Sequence, residues 1–439
     1  MIAQTVLPFK LEKTSENLTA HAGLIAAHEL HLGVGLNRVL DAKVPGPRSN
    51  RGYRPSEVVL PLVLMLQGGG MSLNDINVIR DDRALRTACG LQAVPDESTL
   101  GDLLRRYGSN SEMMQGMADV QDHVNRIMLW EGKTANFTLD ADASIIPADK
   151  QDAAVAYEGT RGYQPMLGFL FENRCLIHDE FRPGNASPAE GIVRFIDACR
   201  KRMPAGCRIA RFRSDSAAYN HFVTDYCEEK KLTFAIGADW DAAVTALLNK
   251  LTDADWTQFT TSGSRIEREV AETVHTFNDG AATFRLIFVR DVVKQRELFP
   301  TGRRQRAIIT NASPESMTAV QAVEWYNQRG TAENYIKELK YNFGLRRVPC
   351  GQFAANAAWL RIASLAYNLF LLQQALTLPE ELKTASVSTV RWQLYQTPAR
   401  IVRHAHRLVV KLAASDRIIS LFQAVREGAF NLAVQYRFT

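Results

Sequence analysis

The sequence predicts an α/β protein: a mixed sheet flanked by helices, with helical regions before and after it and a β-rich stretch inserted between its halves. Three observations predict this. Up to about residue 130, and again from about 317 to the end, apolar residues recur at helical spacing. Between 137 and 181 the pattern changes to short alternating runs, FTLDADASII, MLGFLF and CLIHDEF, which read as a three-stranded antiparallel meander. From 191 to 237 the order is helix, strand, helix, strand, the rhythm of a parallel sheet.

The chain has 439 residues, enough for two or three domains, with apolar and charged fractions ordinary for a globular protein. Its net charge of +5 conceals an asymmetry. From residue 301 onward there are 18 Lys/Arg against 8 Asp/Glu, so the last third is basic and the rest is acidic. A basic third suggests a polyanionic partner. None of the six cysteines forms a C-x2-C pair, so zinc ribbons and thioredoxin-like redox chemistry are unsupported. The cysteines read as reduced and mostly buried, as in a cytoplasmic protein. MIAQTVLPFKLEKT lacks the apolar core of a signal peptide, and the longest apolar run, 58–66, contains Pro61 and is far too short to span a bilayer. No membrane association is expected.

In the first 130 residues, 18–32, 56–66, 72–86 and a segment opened by PDESTL at 95–100 read as helices. Ser72 or Asn74 would cap the third of these. His28 and His31 stand three apart; the H-E-x-x-H zinc motif needs four, so no metal is expected there. Gly68-Gly69-Gly70 lacks the following Gly-Lys-Ser/Thr of a P-loop. A helix, a turn and a capped helix with Arg105 and Arg106 at its exit suit a DNA-docking module and a plain bundle equally.

The inserted stretch, about 240–306, contains β-like runs at 266–277 and 283–293, and a further run at 307–311 returns to the main sheet. A single helix is then expected over 317–343, and a long apolar core helix over 357–376. The tail continues in helical, basic patterning. Arg400, Arg403, His404, His406, Arg407 and Lys411 cluster there, either as a solvated helix face or as a nucleic-acid contact. The latter is favoured because the surroundings are also basic.

Chemistry enters through acids. A carboxylate inside the apolar strand LDADAS is costly unless paired or bound to metal. Asp215 ends the strand RIARFRSD, where open α/β sheets place their ligands. YNQRGTAENYIKELK spaces Tyr326, Arg329, Glu333 and Lys340 as Y-x2-R-x3-E-x6-K. On one helix they would share an arc of about 60°. Taken alone, this is more readily an amphipathic helix with i,i+4 pairs such as Glu333–Lys337. A strand acid, a strand-end acid and a helix acid can nonetheless meet at one sheet edge. There they could position two Mg²⁺ ions about 4 Å apart for phosphoryl transfer.

These motifs, with RGYRPSEVVLPLVLMLQGGG, PDESTLGDLLRR, GYQPMLGF and FRSDSAAYN, resemble the DDE-type transposases of bacterial insertion sequences. The match is closest to the group marked by Y-x2-R-x3-E-x6-K, with a β-rich insertion between the second Asp and the Glu. The resemblance covers most of the chain. It implies an RNase H-like core in two parts, 131–239 and 307–376, around an insertion at 240–306. It also implies a helical DNA-binding and dimerisation region at 1–130 and a basic helical region at 377–439. The first acid is matched by Asp142, two before Ser144 where threonine is common, with Asp140 on the same strand face as the competing choice. Asp215 and Glu333 match the second and third acids. The triad would bind Mg²⁺, with Mn²⁺ as substitute and two ions in all. Tyr326, Arg329 and Lys340 would contact DNA phosphates. Trp240 and Trp256 are the aromatics in the insertion that could stack on an unpaired base.

The implied activity is cut-and-paste transposition. The protein would bind terminal inverted repeats and target DNA, cleave metal-dependently and transfer strands. The working form would be a homodimeric synaptic complex at the bacterial nucleoid. Two rivals remain: a catalytically silent DNA-binding protein derived from such an element, and a hydrolase using two carboxylates without metal.

Overall fold

The computed structural model describes residues 11–47, 49, 51–260, 267–280, 282–292 and 305–436. Its centre is a mixed sheet. Strand β1 (Asn136–Ala143) pairs antiparallel with β2 (Met166–Leu170), and β2 with β3 (Leu176–Glu180), which is the expected meander. On its other side β1 pairs parallel with β4 (Arg208–Ser214), and β4 parallel with β5 (Thr233–Gly237). The helix between β3 and β4, Ile192–Lys201, and the one between β4 and β5, His221–Glu229, supply the crossovers.

The insertion does not interrupt this sheet but lengthens it. Strands β6 (Thr257–Thr260), β7 (Glu267–Thr276), β8 (Thr283–Asp291) and β9 (Gln305–Thr310) form an antiparallel run, and β9 joins β5 antiparallel. Among the described residues the order is β6-β7-β8-β9-β5-β4-β1-β2-β3. The expected ends of two strand runs, Ile266 and Val293, lie outside the described residues.

Helix α1 (Gly23–Gly33), α2 (Leu36–Lys43), α3 (Pro55–Gly68), α4 (Glu97–Gly108) and α5 (Ser111–Glu131) precede the sheet. The expected helix at 18–32 is shorter, because Leu18–Thr19 is a strand instead. The expected helix at 72–86 is broken. Ser72 caps a 3-10 turn, and Ile76–Asp81 stops where the Asp82 carboxylate accepts the Leu85 N–H to start Arg83–Cys89. A capping acid inside a periodic pattern restarts the helix.

After β9 come α6 (Ala319–Asn327), α7 (Gly330–Asn342) and α8 (Phe353–Leu376). Nearly all of α8 is buried, and it packs on α3, α4, α5 and β3. The single helix expected over 317–343 is therefore two. The chain tightens at Gln328–Arg329, where Arg329 N–H donates to Tyr326 C=O and Ala332 N–H to Arg329 C=O, both i→i+3 bonds. Gly330 at the junction is a poor helix former. A small apolar cluster of Val270, Ile287, Val289, Ile308, Ala322 and Val323 seats α6 on the inserted strands.

The tail departs further from expectation. The basic cluster lies on a β-hairpin, β10 (Ala399–His404) and β11 (Arg407–Leu412), not on a helix. Ile401, Val402, Val409 and Val410 are β-branched, and that preference overrides the helical reading. Leu18–Thr19 pairs with the base of β10. A final helix, α9 (Asp416–Gln435), packs on α1.

No single described helix is long and apolar enough to cross a membrane, although the bent pair Pro55–Gly68 and Leu73–Asp81 meets that test by length and composition. All six cysteines are free thiols, and five are buried.

Candidate active site

The site forms where β1 and β4 run side by side. Their register sets Asp140 opposite Arg213. Two residues farther along, the same face carries Asp142 on β1 and Asp215 just past the end of β4. The two pairs have different fates. Asp140 and Arg213 are wholly buried and joined by two bonds, Nε–Oδ1 at 2.7 Å and Nη2–Oδ2 at 2.8 Å. Both carboxylate oxygens of Asp140 are thereby engaged.

Arg213 also donates to the Trp325 carbonyl at 2.6 Å and to Gln328 Oε1 at 3.3 Å, and it lies 4.4 Å from the Phe171 ring centre. The guanidinium thus ties the two parallel strands to the C-terminus of α6 and to the break that follows it. No motif pointed to this role, though the R-x-D spacing of Arg213 and Asp215 mirrors D-x-D in β1.

The break places Arg329 over the strand ends. Its Nη1 lies 3.5 Å from Asp142 Oδ2 and its Nη2 lies 3.9 Å from Glu333 Oε1. Burial opposes the Arg329 charge, but Tyr326, Asp142, Asp215 and Glu333 together raise its pKa. Conversely, the Asp142 carboxyl is pushed up to about 6, first by burial and then by Asp215, with Glu333 adding to the effect and Arg329 opposing it. Asp142, Asp215 and Glu333 therefore share one electrostatic neighbourhood, and Arg329 is the cation within it. Asp215 Oδ1 accepts the Ala217 N–H at 3.1 Å, which fixes the loop after β4. Glu333, in the first turn of α7, is the outer member, its side chain 54% exposed. Among the described residues no three carboxylate, imidazole or thiol groups close into a cage around one point.

Tyr326, on α6, is largely buried. Burial raises its pKa, and the neighbouring Arg329 opposes that rise. Gly237, ending β5, makes room for it: a Cβ there would fall 2.7 Å from the Tyr326 hydroxyl. Lys340, near the end of α7, donates to the Ile145 carbonyl at 2.7 Å; burial lowers its pKa while Asp142 and Glu158 raise it. Tyr326 from α6, Arg329 from the break, and Glu333 and Lys340 from α7 thus approach the end of the β1–β4 pair. Of the two tryptophans in the insertion, Trp256 is half-buried under Arg290, whose guanidinium carbon is 3.9 Å from the ring centre. Trp240 is 46% exposed and stacks on Phe288. His28 and His31 are buried in α1, away from these acids in sequence and element.

The family model described as transposase DDE domain group 1 matches residues 6–431. The chain belongs to this transposase family. Among solved structures, it is similar to a piggyBac transposase, determined as a synaptic complex with hairpin DNA, with a TM-score of 0.45 and 12% identity over 85% of this chain and 79% of that one. No curated protein matches the chain. Family membership agrees with a large mixed sheet flanked by helices, into which the expected antiparallel and parallel strand pairs are built.

Proposed function

We propose that this transposase binds the terminal inverted repeats of an insertion sequence, cleaves the DNA in a metal-dependent reaction and joins it to a target by a cut-and-paste route. The observation that supports this best is the convergence of Asp142, Asp215 and Glu333 around Arg329 at the end of a parallel strand pair. A set of three carboxylates without thiol or imidazole suits a hard divalent cation. Burial first, and then the charges of Asp215 and Glu333, raise the Asp142 pKa against the opposing Arg329, and a buried carboxylate beside other carboxylates also suits one. Asp142, Asp215 and Glu333 would hold Mg²⁺, or Mn²⁺ in its place, as a pair of ions. When bound, such ions activate an attacking oxygen and stabilise a leaving one. Asp140 is assigned to the fold, because Arg213 occupies it.

The remaining roles fall to the chain's own groups. The Arg329 guanidinium is a planar fork of donors suited to a phosphate. Tyr326, packed against it, fixes its direction. Lys340, anchored on the Ile145 carbonyl, brings a positive charge into the neighbourhood of Asp142, where it would meet a DNA phosphate. Trp240, the more exposed tryptophan, is the candidate for stacking on an unpaired base. The helical region before the sheet would bind the DNA ends, and two copies would form the synaptic complex at the nucleoid.

The test uses a labelled duplex carrying the inverted repeats that flank the coding region. The wild-type chain should cut it with Mg²⁺ or Mn²⁺ and stop when a chelator is added. Glu333→Ala should bind the duplex with unchanged affinity and leave it intact. Normal cutting by Glu333→Ala, or cutting that survives the chelator, would overturn the proposal.

A further inference from the structure

The β10–β11 hairpin stands apart from the acid cluster, and its composition is one-sided. Residues 399–412, ARIVRHAHRLVVKL, contain four Arg or Lys, two His and no acid. Cross-strand register sorts them by face. Ala399, Ile401, Val410 and Leu412 fall on one face with Arg403 and Leu408. Leu408, Val410 and Leu412 of these, together with Val409 of the other face, line a cavity of about 530 Å³ against α1 and α9. The other face carries Arg400, Val402, His404, Arg407, Val409 and Lys411, and all of these except Val402 are exposed. Arg400 pairs with Glu16 at 3.1 Å; among the described residues no ion pair holds Arg403, Arg407 or Lys411.

The shape is as specific as the charge. Leu18–Thr19 reaches only Ala399 and Arg400, so beyond the base the ribbon has two strands. Its tip is Ala405–His406, both with positive φ, 48° and 64°. This is the tight two-residue turn that matches strand twist, and it adds no bulk to the end. A two-stranded ribbon is one of the two elements that a DNA major groove admits. Exposed cations without internal partners are what phosphates on either side of a groove require.

We propose that the β10–β11 hairpin is a DNA-binding ribbon, entering the major groove with Arg407, Lys411 and His404 on its outer face and Arg403 near its tip. The inference rests on the reading of the chain as a DNA-acting transposase. It adds a contact distinct from the acid site and from the helical region before the sheet.

The experiment measures anisotropy of the full chain on a fluorescent 30-bp duplex of mixed sequence, a length of roughly three groove repeats, across a salt series. The triple variant Arg403→Ala/Arg407→Ala/Lys411→Ala should bind at least about tenfold more weakly near 0.1 M salt. Its log–log salt slope should fall by about two to three, in line with roughly 0.9 per lost phosphate contact. A control with equal charge loss at exposed positions outside the proposed DNA-binding regions, Lys201→Ala/Arg211→Ala/Lys250→Ala, should keep the wild-type slope. Arg403→Lys/Arg407→Lys should restore most of the affinity, and equal thermal midpoints would show that the variants fold. Equal binding and slope in the triple variant would overturn the inference while leaving the transposase reading standing. So would a triple variant that loses only self-association, since the ribbon's outer edge would then serve a second copy. A wild-type chain that binds no duplex would overturn both.

Discussion

Asp142 and Asp140 show how far one residue's role depends on its partner. They are two apart on one strand and share a face, so sequence periodicity cannot separate them. The register with β4 separates them: Asp140 meets Arg213, and Asp142 meets the neighbourhood of another acid. The LDADAS and RFRSD strings were legible, but the strand pairing that turns D-x-D and R-x-D into one ion pair and one acid cluster was not. A stability test follows. In the folded chain the Asp142 pKa is about 6, against about 3.8 for an ordinary aspartate. The native state therefore takes up this proton more readily than the unfolded one. Its contribution to stability is fully present below about pH 3.8 and is lost as pH rises through 6. At pH 8 without metal, the ionised group costs on the order of 3 kcal/mol. Asp142→Asn should abolish cleavage and yet raise the urea midpoint at pH 8, with the gain shrinking toward pH 4. A variant less stable than wild type at pH 8 would contradict this account of the site's charge.

At the scale of elements, legibility followed the strength of the local signal. The meander, the strands at Arg208 and Thr233, and the apolar helix α8 were plain from periodicity. The break at Gln328–Arg329 was not, because α6 and α7 keep a common apolar rhythm across it and Gly330 alone is a weak signal; the i→i+3 bonds and the buried Arg213 contact reveal the bend. The β10–β11 hairpin was read as helix because its charges were weighed and its β-branched alternation was not. A third contact was invisible in sequence. Asn368, in the middle of α8, accepts from the Leu176 N–H at 3.1 Å and donates to the Leu176 C=O at 2.8 Å and to Asn125 Oδ1 at 2.7 Å. One amide thus does for edge strand β3 what a further strand would do, and it joins α8 and α5 to the sheet. A buried polar group left unpaired costs about 1–3 kcal/mol. Asn368→Leu, alike in branching but without the amide, should lower unfolding free energy by about 2–4 kcal/mol on that basis. Leu176 should be among the amides whose hydrogen exchange speeds up most. An unchanged urea midpoint would mean that the amide bonds contribute nothing net.

At the scale of the whole molecule, the two ends of the chain meet. Helix α1 packs on α9, Arg426 bonds Glu29 through Nε at 2.7 Å and Nη2 at 3.0 Å, and Leu18–Thr19 pairs with β10. Nothing local in either segment encodes that meeting, which is set by packing across some 400 residues. His28 and His31 lie buried in α1. Each has a ring nitrogen without a partner among the described residues. Burial lowers the His28 pKa to about 4, with a bond donated to the Cys89 backbone opposing; burial, then the charge of His28, holds His31 well below its usual value. The native state therefore resists these protons and the unfolded chain accepts them. The imidazoles' contribution is fully present above about pH 6.5 and is lost as pH falls toward 4. For His28 alone this amounts to on the order of 3 kcal/mol. Asp140 and Asp142, both raised to about 6, act with the opposite sign between 3.8 and 6, so the wild-type curve alone does not isolate the imidazoles. The difference between wild type and His28→Leu/His31→Leu does. With urea midpoints measured from pH 8 to pH 4, the double variant should gain on the wild type steadily below pH 6.5. A constant difference across that range would show that these imidazoles are protonated in the folded chain as easily as in the unfolded one.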